Sequence, residues 1–212
     1  NDTIPSVKNT FISLSKNKKY VLGVIAQVFY VGAQIMCWTY IYQYAEGIGI
    51  ESDTAANYQF IAFIVFLAGR AIGTYLLRYI SSGKLLMYFS LLAIVFCTIT
   101  ILREGLYGLY CLVGVSFCMS LMFPTIYGIA LNGLNEEESK IGSAGLVMAI
   151  VGGALMPKLQ GMIIDAGGTA VNDIKIIGVS EVNFSFLLPL LCFVYIAWYA
   201  LRVIRMYENR QI

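Results

Sequence analysis

Four polar or aromatic side chains recur along one face of the first long apolar segment of this chain. At about 100° per residue, Gln27, Tyr30, Gln34 and Trp38 fall on the same side of a helix. An amide donates and accepts hydrogen bonds, and an aromatic ring presents a flat apolar surface to the C–H groups of a pyranose. These groups suit a sugar-binding cavity. The alternative is that the amides bond to the backbone of a neighbouring helix.

The segments that carry these groups are long and apolar. The chain has 212 residues, of which 59% are hydrophobic and 12% charged, whereas an average soluble domain has about 25% charged residues. Each apolar run has about 19–26 residues, and a helix of that length crosses a hydrocarbon core of about 30 Å. Only helices and closed barrels satisfy their backbone in lipid, and barrel strands are shorter and alternate. The sequence therefore predicts an all-α integral membrane protein with six spans, at 20–45, 57–80, 84–102, 107–132, 141–164 and 184–206.

Basic residues are distributed unevenly between the two sides of the predicted bundle. Six spans put both ends on one side, and the other side carries only Arg103 and Lys175. Because loops rich in Lys and Arg stay in the cytoplasm, both ends are predicted to be cytoplasmic. Residues 1–19 are then a polar linker with no expected fold, 20–206 the six-helix domain, and 207–212 a tail. The ten basic residues on the predicted cytoplasmic side are Lys8, Lys16, Lys18, Lys19, Arg78, Lys84, Lys140, Arg202, Arg205 and Arg210.

Several function classes are disfavoured by the residue content. The sequence has no histidine, and its five cysteines fall inside apolar runs without a C-x-x-C pair, so neither a metal site nor a disulfide framework is expected. Every Asp and Glu lies at a span end, in a loop or in a tail, so no intramembrane acid–base pair is predicted. The net charge of +2 gives no reason to expect a nucleic-acid partner. We therefore predict neither an enzyme nor a bound cofactor.

The spans divide into plain helices and helices with breaks or polar groups. Span two contains a Gly69–Gly73 pair, which allows close contact with another helix. Pro124 interrupts span four, and glycines are frequent in span five; such discontinuities often mark transport sites. Spans three and six are uniformly apolar and are expected to face lipid. Two groups of three spans, each ending on a plain helix, predict an inverted 3+3 repeat.

Four stretches of the sequence resemble a known family of membrane proteins. They are AQVFYVGAQIMCWTYIYQYA (26–45), AANY (55–58) with GRAIGT (69–74), FPTIYGIALNGL (123–134) and GSAGLVMAIVGGALMPKLQGMIIDAGG (142–168). Over about residues 20–206 the chain resembles the C-terminal half of a major facilitator superfamily transporter. Within the superfamily it is most similar to the fucose–galactose–glucose:proton symporter group and to the L-fucose permeases in it. The loop after span two departs from the pattern, because Leu77 stands where an acidic residue is usual.

The resemblance implies one half of a twelve-helix transporter in a cell inner membrane. It implies a sugar cavity between two six-helix halves, lined by the first and fourth helices of each, with the proton-coupling carboxylates in the other half. The implied partners are a hexose or deoxyhexose such as L-fucose, a proton, the N-terminal half and the bilayer. The residues implied to bind sugar are Gln27, Tyr30, Gln34, Trp38, Asn57, Phe66, Phe123 and Tyr127.

Two other functions stay open at this point. A glucose or galactose transporter of the same group would share the last of the four stretches. A membrane scaffold that transports nothing would share the span count and the charge asymmetry. The first residue is Asn1 rather than Met, so we expect the chain to be part of a longer protein, in which a further six spans would favour transport.

Overall fold

Six helical segments of the computed structural model, which describes residues 7–168 and 174–208, are long and apolar enough to cross a membrane. This confirms the predicted number of spans. The largest differences are at the starts of spans two and five, which begin at Ser52 and Glu136, five residues before the predicted positions. Span two also ends at Leu76 rather than at residue 80, and a turn follows. The six spans are Lys18–Gly47, Ser52–Leu76, Ser82–Leu102, Leu106–Leu131, Glu136–Ile164 and Glu181–Met206.

Three of the spans are built from more than one helix. Span four breaks at Ser120 and Leu121, and Pro124 lies in the first turn after the break, where its missing N–H removes no helix hydrogen bond. Span five contains a 3₁₀ turn at Ala149–Val151, and a two-stranded antiparallel hairpin precedes span six. The elements are α1 (Val7–Lys16), α2 (Lys18–Gly47), α3 (Ser52–Leu76), α4 (Ser82–Leu102), α5 (Leu106–Met119), α6 (Met122–Leu131), α7 (Glu136–Met148), α8 (Gly152–Ile164), β1 (Lys175–Ile176), β2 (Val179–Ser180), α9 (Glu181–Ser185) and α10 (Leu187–Glu208).

Helix α1 corrects the expectation that residues 1–19 have no fold. It packs against α7 and α2, and it buries Thr10 and Leu14. The Ser13 hydroxyl donates a 2.7 Å hydrogen bond to Glu138 Oε1, and Asn17 caps the start of α2 by accepting from the amide of Tyr20. Helix α1 carries little signal in the sequence because its buried face is short and lies within an otherwise polar segment.

The packing of the spans shows two units of three helices. The middle helix of the first unit, α3, packs on α5 of the second unit, and α8 of the second unit packs on α2 of the first. The third helices follow the same rule, since α4 packs on α5 and α10 on α2, and they also pack on each other. This crossed arrangement is that of the predicted inverted 3+3 repeat.

Glycines permit the close crossing of α3 and α5. A Cβ atom on Gly69 would lie 2.8 Å from both Phe117 O and Ser120 Oγ, and one on Gly73 would overlap Leu121. The predicted close contact of the Gly69–Gly73 pair is therefore confirmed, because only a residue without a Cβ fits at both positions.

Exposure of the spans differs from the expectation that spans three and six face lipid. Span six buries 50% of its most apolar window, whereas span two buries 17% and span five 22%. Spans three and six are therefore only partly open to lipid, since each covers one face with the other. The faces of spans two and five are the more open ones on this domain.

Candidate functional site

The first of two aromatic groups on the bundle is the Trp38 cluster, formed by Trp38, Phe63, Phe66 and Ser116. The indole N–H of Trp38 donates a 3.2 Å hydrogen bond to Ser116 Oγ. Its ring centroid lies 4.9 Å from that of Phe63 and 5.1 Å from that of Phe66, with interplanar angles of 86° and 77°. This is the edge-to-face geometry that aromatic rings prefer. The cluster joins spans one, two and four, and it leaves Trp38 half-buried.

The second group is the Tyr30 cluster, formed by Tyr30, Met119, Phe123 and Tyr127. The Tyr30 hydroxyl donates a 3.0 Å hydrogen bond to the backbone carbonyl of Met119, the last residue of α5. The rings of Tyr30 and Phe123 meet edge to face at 6.0 Å, and Phe123 stacks on Tyr127 at 6.3 Å. A carbonyl at a helix end has no intrahelical partner, so Tyr30 satisfies one that the break in span four leaves open.

The two glutamines of span one lie in different surroundings. Gln27 is completely buried, and within the described part of the chain neither atom of its amide has a hydrogen-bond partner. Gln34 is half-buried and lies one turn before Trp38. Gln27 and Tyr30 therefore offer no surface to a ligand in this conformation, whereas Gln34 and Trp38 do. The predicted face of span one is therefore only partly accessible, because its first half is buried in the bundle and Tyr30 packs against span four.

The remaining predicted site residues are divided between the clusters and open surface. Phe66 belongs to the Trp38 cluster, and Phe123 and Tyr127 are half-buried in the Tyr30 cluster. Asn57 is exposed and lies nine residues before Phe66, which is about 14 Å along α3. The structure thus does not bring Asn57 to the Trp38 cluster.

Two residues of the Trp38 cluster were not predicted as site residues. Phe63 shares a face of α3 with Phe66 because the two are three positions apart, and this spacing was a usable signal. Helical spacing places Ser116 near the face of span four that carries Phe123 and Tyr127, but its contact with Trp38, 78 positions away in the sequence, is visible only in the structure. A hydroxyl in an apolar span has many possible partners, so composition alone does not single it out.

A polar network holds the hairpin and the start of span six to the neighbouring helices. The Asn183 side chain donates to the carbonyl of Thr100 at 2.7 Å and accepts at 2.8 Å from the hydroxyl of Ser180. The amide of Ser180 donates to Glu104 Oε1 at 3.3 Å, and the Tyr44 hydroxyl donates to the carbonyl of Arg103 at 3.0 Å. These bonds fix the ends of spans one, three and six relative to one another.

One acidic residue differs from the predicted pattern of acids at accessible ends and loops. Glu181, the first residue of α9, is completely buried, and a Cβ atom on Gly167 would lie 2.9 Å from its Oε2. Asp165, in contrast, is exposed. Among the described acids, Glu181 is therefore the better candidate for a carboxyl shielded from water, although it too lies at a span end.

Two comparisons with known proteins decide the family. An L-fucose-proton symporter of Haemophilus influenzae is 52% identical over 197 residues, which are 93% of this chain and 44% of the relative. A crystal structure of a major facilitator superfamily transporter, FucP, in the outward conformation matches with a TM-score of 0.83 and 31% identity, over 93% of this chain and 45% of that one. The chain belongs to the major facilitator superfamily. The chain spans about half the length of the curated relatives that it matches.

Other relatives are named for different sugars. An L-fucose-proton symporter of Escherichia coli is 34% identical over 88% of this chain. A glucose/galactose transporter of Brucella abortus is 33% identical over 85% of it. These relatives are transporters, which confirms the expectation that the chain is not an enzyme. No protein-family model matches the chain.

Proposed function

We propose that this chain is the C-terminal half of a proton-coupled sugar symporter that takes up L-fucose by alternating access. The observation that carries the proposal is the Trp38 cluster, in which a half-buried indole on span one is held by side chains of spans two and four beside the amide of Gln34. The 52% identity to a protein named L-fucose-proton symporter supports the substrate.

The proposed site divides the recognition of a sugar between two kinds of group. The N–H of Trp38 is already bonded to Ser116, so Trp38 contributes ring surface to the C–H groups of the sugar rather than a hydrogen bond. Gln34 contributes a donor and an acceptor to neighbouring hydroxyls. Phe123 and Tyr127 extend the aromatic surface from span four, opposite the surface that the N-terminal half would supply.

A glucose or galactose transporter is the second candidate, and the relative from Brucella abortus supports it. L-Fucose carries a methyl group where L-galactose carries a hydroxymethyl group, and an aromatic surface without a further polar partner favours the methyl group. We therefore expect purified full-length protein to bind L-fucose more tightly than galactose. Equal or reversed affinities in equilibrium binding would give the substrate to the second candidate.

Two substitutions in the full-length protein test the proposed site. Gln34→Ala should weaken sugar binding several-fold, because a lost neutral hydrogen bond is worth about 0.5–1.5 kcal/mol. Trp38→Ala should also weaken it several-fold, because it removes the aromatic surface that packs on the sugar. Leu91→Ala is the control, since Leu91 is 47% exposed on span three and lies outside both clusters. Equilibrium binding of radiolabelled sugar would measure the effect at matched protein levels. Unchanged affinity in both variants would remove this face from the site.

The proposed orientation places both ends of the chain in the cytoplasm of a cell with an inner membrane. A single cysteine at Gly49, which is exposed after span one, should react with an impermeant reagent added from outside. Cysteines at Ser82 and Glu137 should be spared. Asn172 is the second position predicted to be labelled from outside, but it is not among the residues that the structure describes. Labelling in the reverse pattern would overturn the orientation.

The proton-coupling carboxylates are proposed to lie in the N-terminal half. A proton carrier has to change charge within the membrane, and the acids of this chain lie at span ends, in loops or in tails. Glu181→Gln and Asp165→Asn in the full-length protein should therefore both retain sugar-driven proton movement, measured with a pH-sensitive dye in the liposome lumen. Loss of coupling with retained sugar binding in Glu181→Gln would place the carrier in this half.

A further inference from the structure

Helix α10 has an uncovered apolar stripe on the side opposite its packing face. Phe193, Ile196 and Ala200 are completely buried where α10 packs on α4 and α2. The side chains spaced by three and four residues on the other side are 42–57% exposed, and they follow one line over about 15 Å of helix. The exposed stripe consists of Leu191, Val194, Trp198 and Leu201.

The stripe ends in two arginines at one end of span six. The guanidinium of Arg202 lies 5.3 Å above the centroid of the Trp198 ring, a cation–π contact that holds it at the helix surface. Arg205 lies one turn further on and is exposed. An open groove of about 380 Å³ at this end of the helix is lined by Trp198, Leu201, Arg202, Arg205 and Met206. Among the described residues, neither arginine forms an ion pair with an acid.

A third positive charge lies near this end of the helix. Gly83 packs against Val203 and Ile204 of α10, with 3.2 Å between the position of an added Cβ and Ile204 Cγ1. The next residue is Lys84, which is exposed. The end of span six is therefore a basic surface that continues directly into apolar surface of membrane depth.

We propose that this groove binds the headgroup of an anionic phospholipid. Guanidinium groups bind phosphate oxygens with paired, charge-assisted hydrogen bonds, and within the described part of the chain neither Arg202 nor Arg205 is already paired with a carboxylate. The acyl chains would lie along Leu201 and Val194. A free phosphate ion would leave the apolar stripe unused, so a molecule with both parts fits the groove better.

Native mass spectrometry of the full-length protein in mild detergent tests this proposal. We expect phosphatidylglycerol to be retained in preference to phosphatidylcholine, and the double variant Arg202→Gln/Arg205→Gln to retain about tenfold less, because hydrogen bonds to charged groups are the stronger ones. Arg78→Gln is the matched control, since Arg78 also lies over an aromatic ring, that of Tyr75, but outside the groove. Its lipid retention should equal that of the unmodified protein.

Four results would overturn the proposal. They are equal retention of the two lipids, full retention of phosphatidylglycerol by a monodisperse double variant, displacement of the lipid by inorganic phosphate at the same concentration, and photocrosslinking from position 201 to protein instead of lipid. A thermal unfolding midpoint of the lipid-free double variant close to that of the unmodified protein would show that its fold is intact. None of these measurements depends on which sugar is transported, so failure here is distinct from failure of the proposed function.

Discussion

The Trp38 and Tyr30 clusters contain similar side chains but have different roles. Each joins span one to span four through one hydrogen bond from span one. The rings packed around that bond come from span two in the Trp38 cluster and from span four in the Tyr30 cluster. The Trp38 bond goes to a side-chain hydroxyl, and the ring stays half-buried. The Tyr30 bond goes to a backbone carbonyl at the break in span four, and the ring is completely buried. Tyr30 therefore stabilises the helix break, whereas Trp38 keeps surface for a ligand.

The largest expected effect is on stability, through Tyr30→Ala. Replacing a fully buried aromatic ring with alanine typically costs about 3–5 kcal/mol, so the full-length variant should unfold at a clearly lower temperature and accumulate poorly. Thermal unfolding of the purified protein would measure this. Tyr107→Ala is the control, because Tyr107 is 79% exposed. Equal midpoints for the two variants would contradict the structural role of the Tyr30 cluster.

Removing the acceptor of Trp38 should have the next largest effect, and it should act on binding. Ser116→Ala leaves the indole N–H without its partner, a change worth about 1–3 kcal/mol in a buried setting, and the ring should then lose its fixed orientation. We expect sugar affinity to fall several-fold in equilibrium binding. Ser116→Thr keeps the hydroxyl and should restore most of it. Equal affinities for the alanine and threonine variants would show that the bond does not position Trp38.

Tyr30→Phe separates the hydroxyl from the ring. It removes only the hydrogen bond to Met119 and leaves that buried carbonyl without its partner, so stability should fall by about 1–3 kcal/mol while sugar affinity stays the same. Thermal unfolding and binding on one preparation would measure both. If affinity fell more than in Ser116→Ala, Tyr30 rather than Trp38 would belong to the binding surface.

Asn57→Ala should have the smallest effect. Asn57 is exposed and about 14 Å along α3 from Phe66, so its loss should change sugar affinity less than twofold. Phe66→Ala is the contrasting variant, because Phe66 packs on Trp38, and it should weaken binding more. A larger effect at Asn57 than at Phe66 would move the proposed site toward the start of span two.

The fold was largely predictable because the membrane imposes strong limits on sequence. Span number, the Gly69–Gly73 contact and the break before Pro124 all follow from backbone requirements in lipid and from local residue geometry. Helix α1 was missed because a short amphipathic helix in a polar segment carries little signal of its own.

The candidate site was less predictable, because it depends on how two helices are rotated relative to each other. Periodicity placed Gln27 and Trp38 on one face, but packing buries the first completely and leaves the second half-exposed. The partners Ser116 and Phe63 come from other spans. No local pattern in span one specifies which residues of spans two and four it will meet.

The interruption in span four also has a mechanical consequence. Span one is a continuous helix of 30 residues, and bending it would require many backbone hydrogen bonds to lengthen together. Span four consists of segments of 14 and 10 residues joined at Ser120 and Leu121, so a change of angle at this joint disturbs only a few bonds. The membrane domain thus combines a rigid continuous helix, span one, with a helix that can bend, span four. The two halves of span four should tilt relative to each other most easily at Ser120 and Leu121.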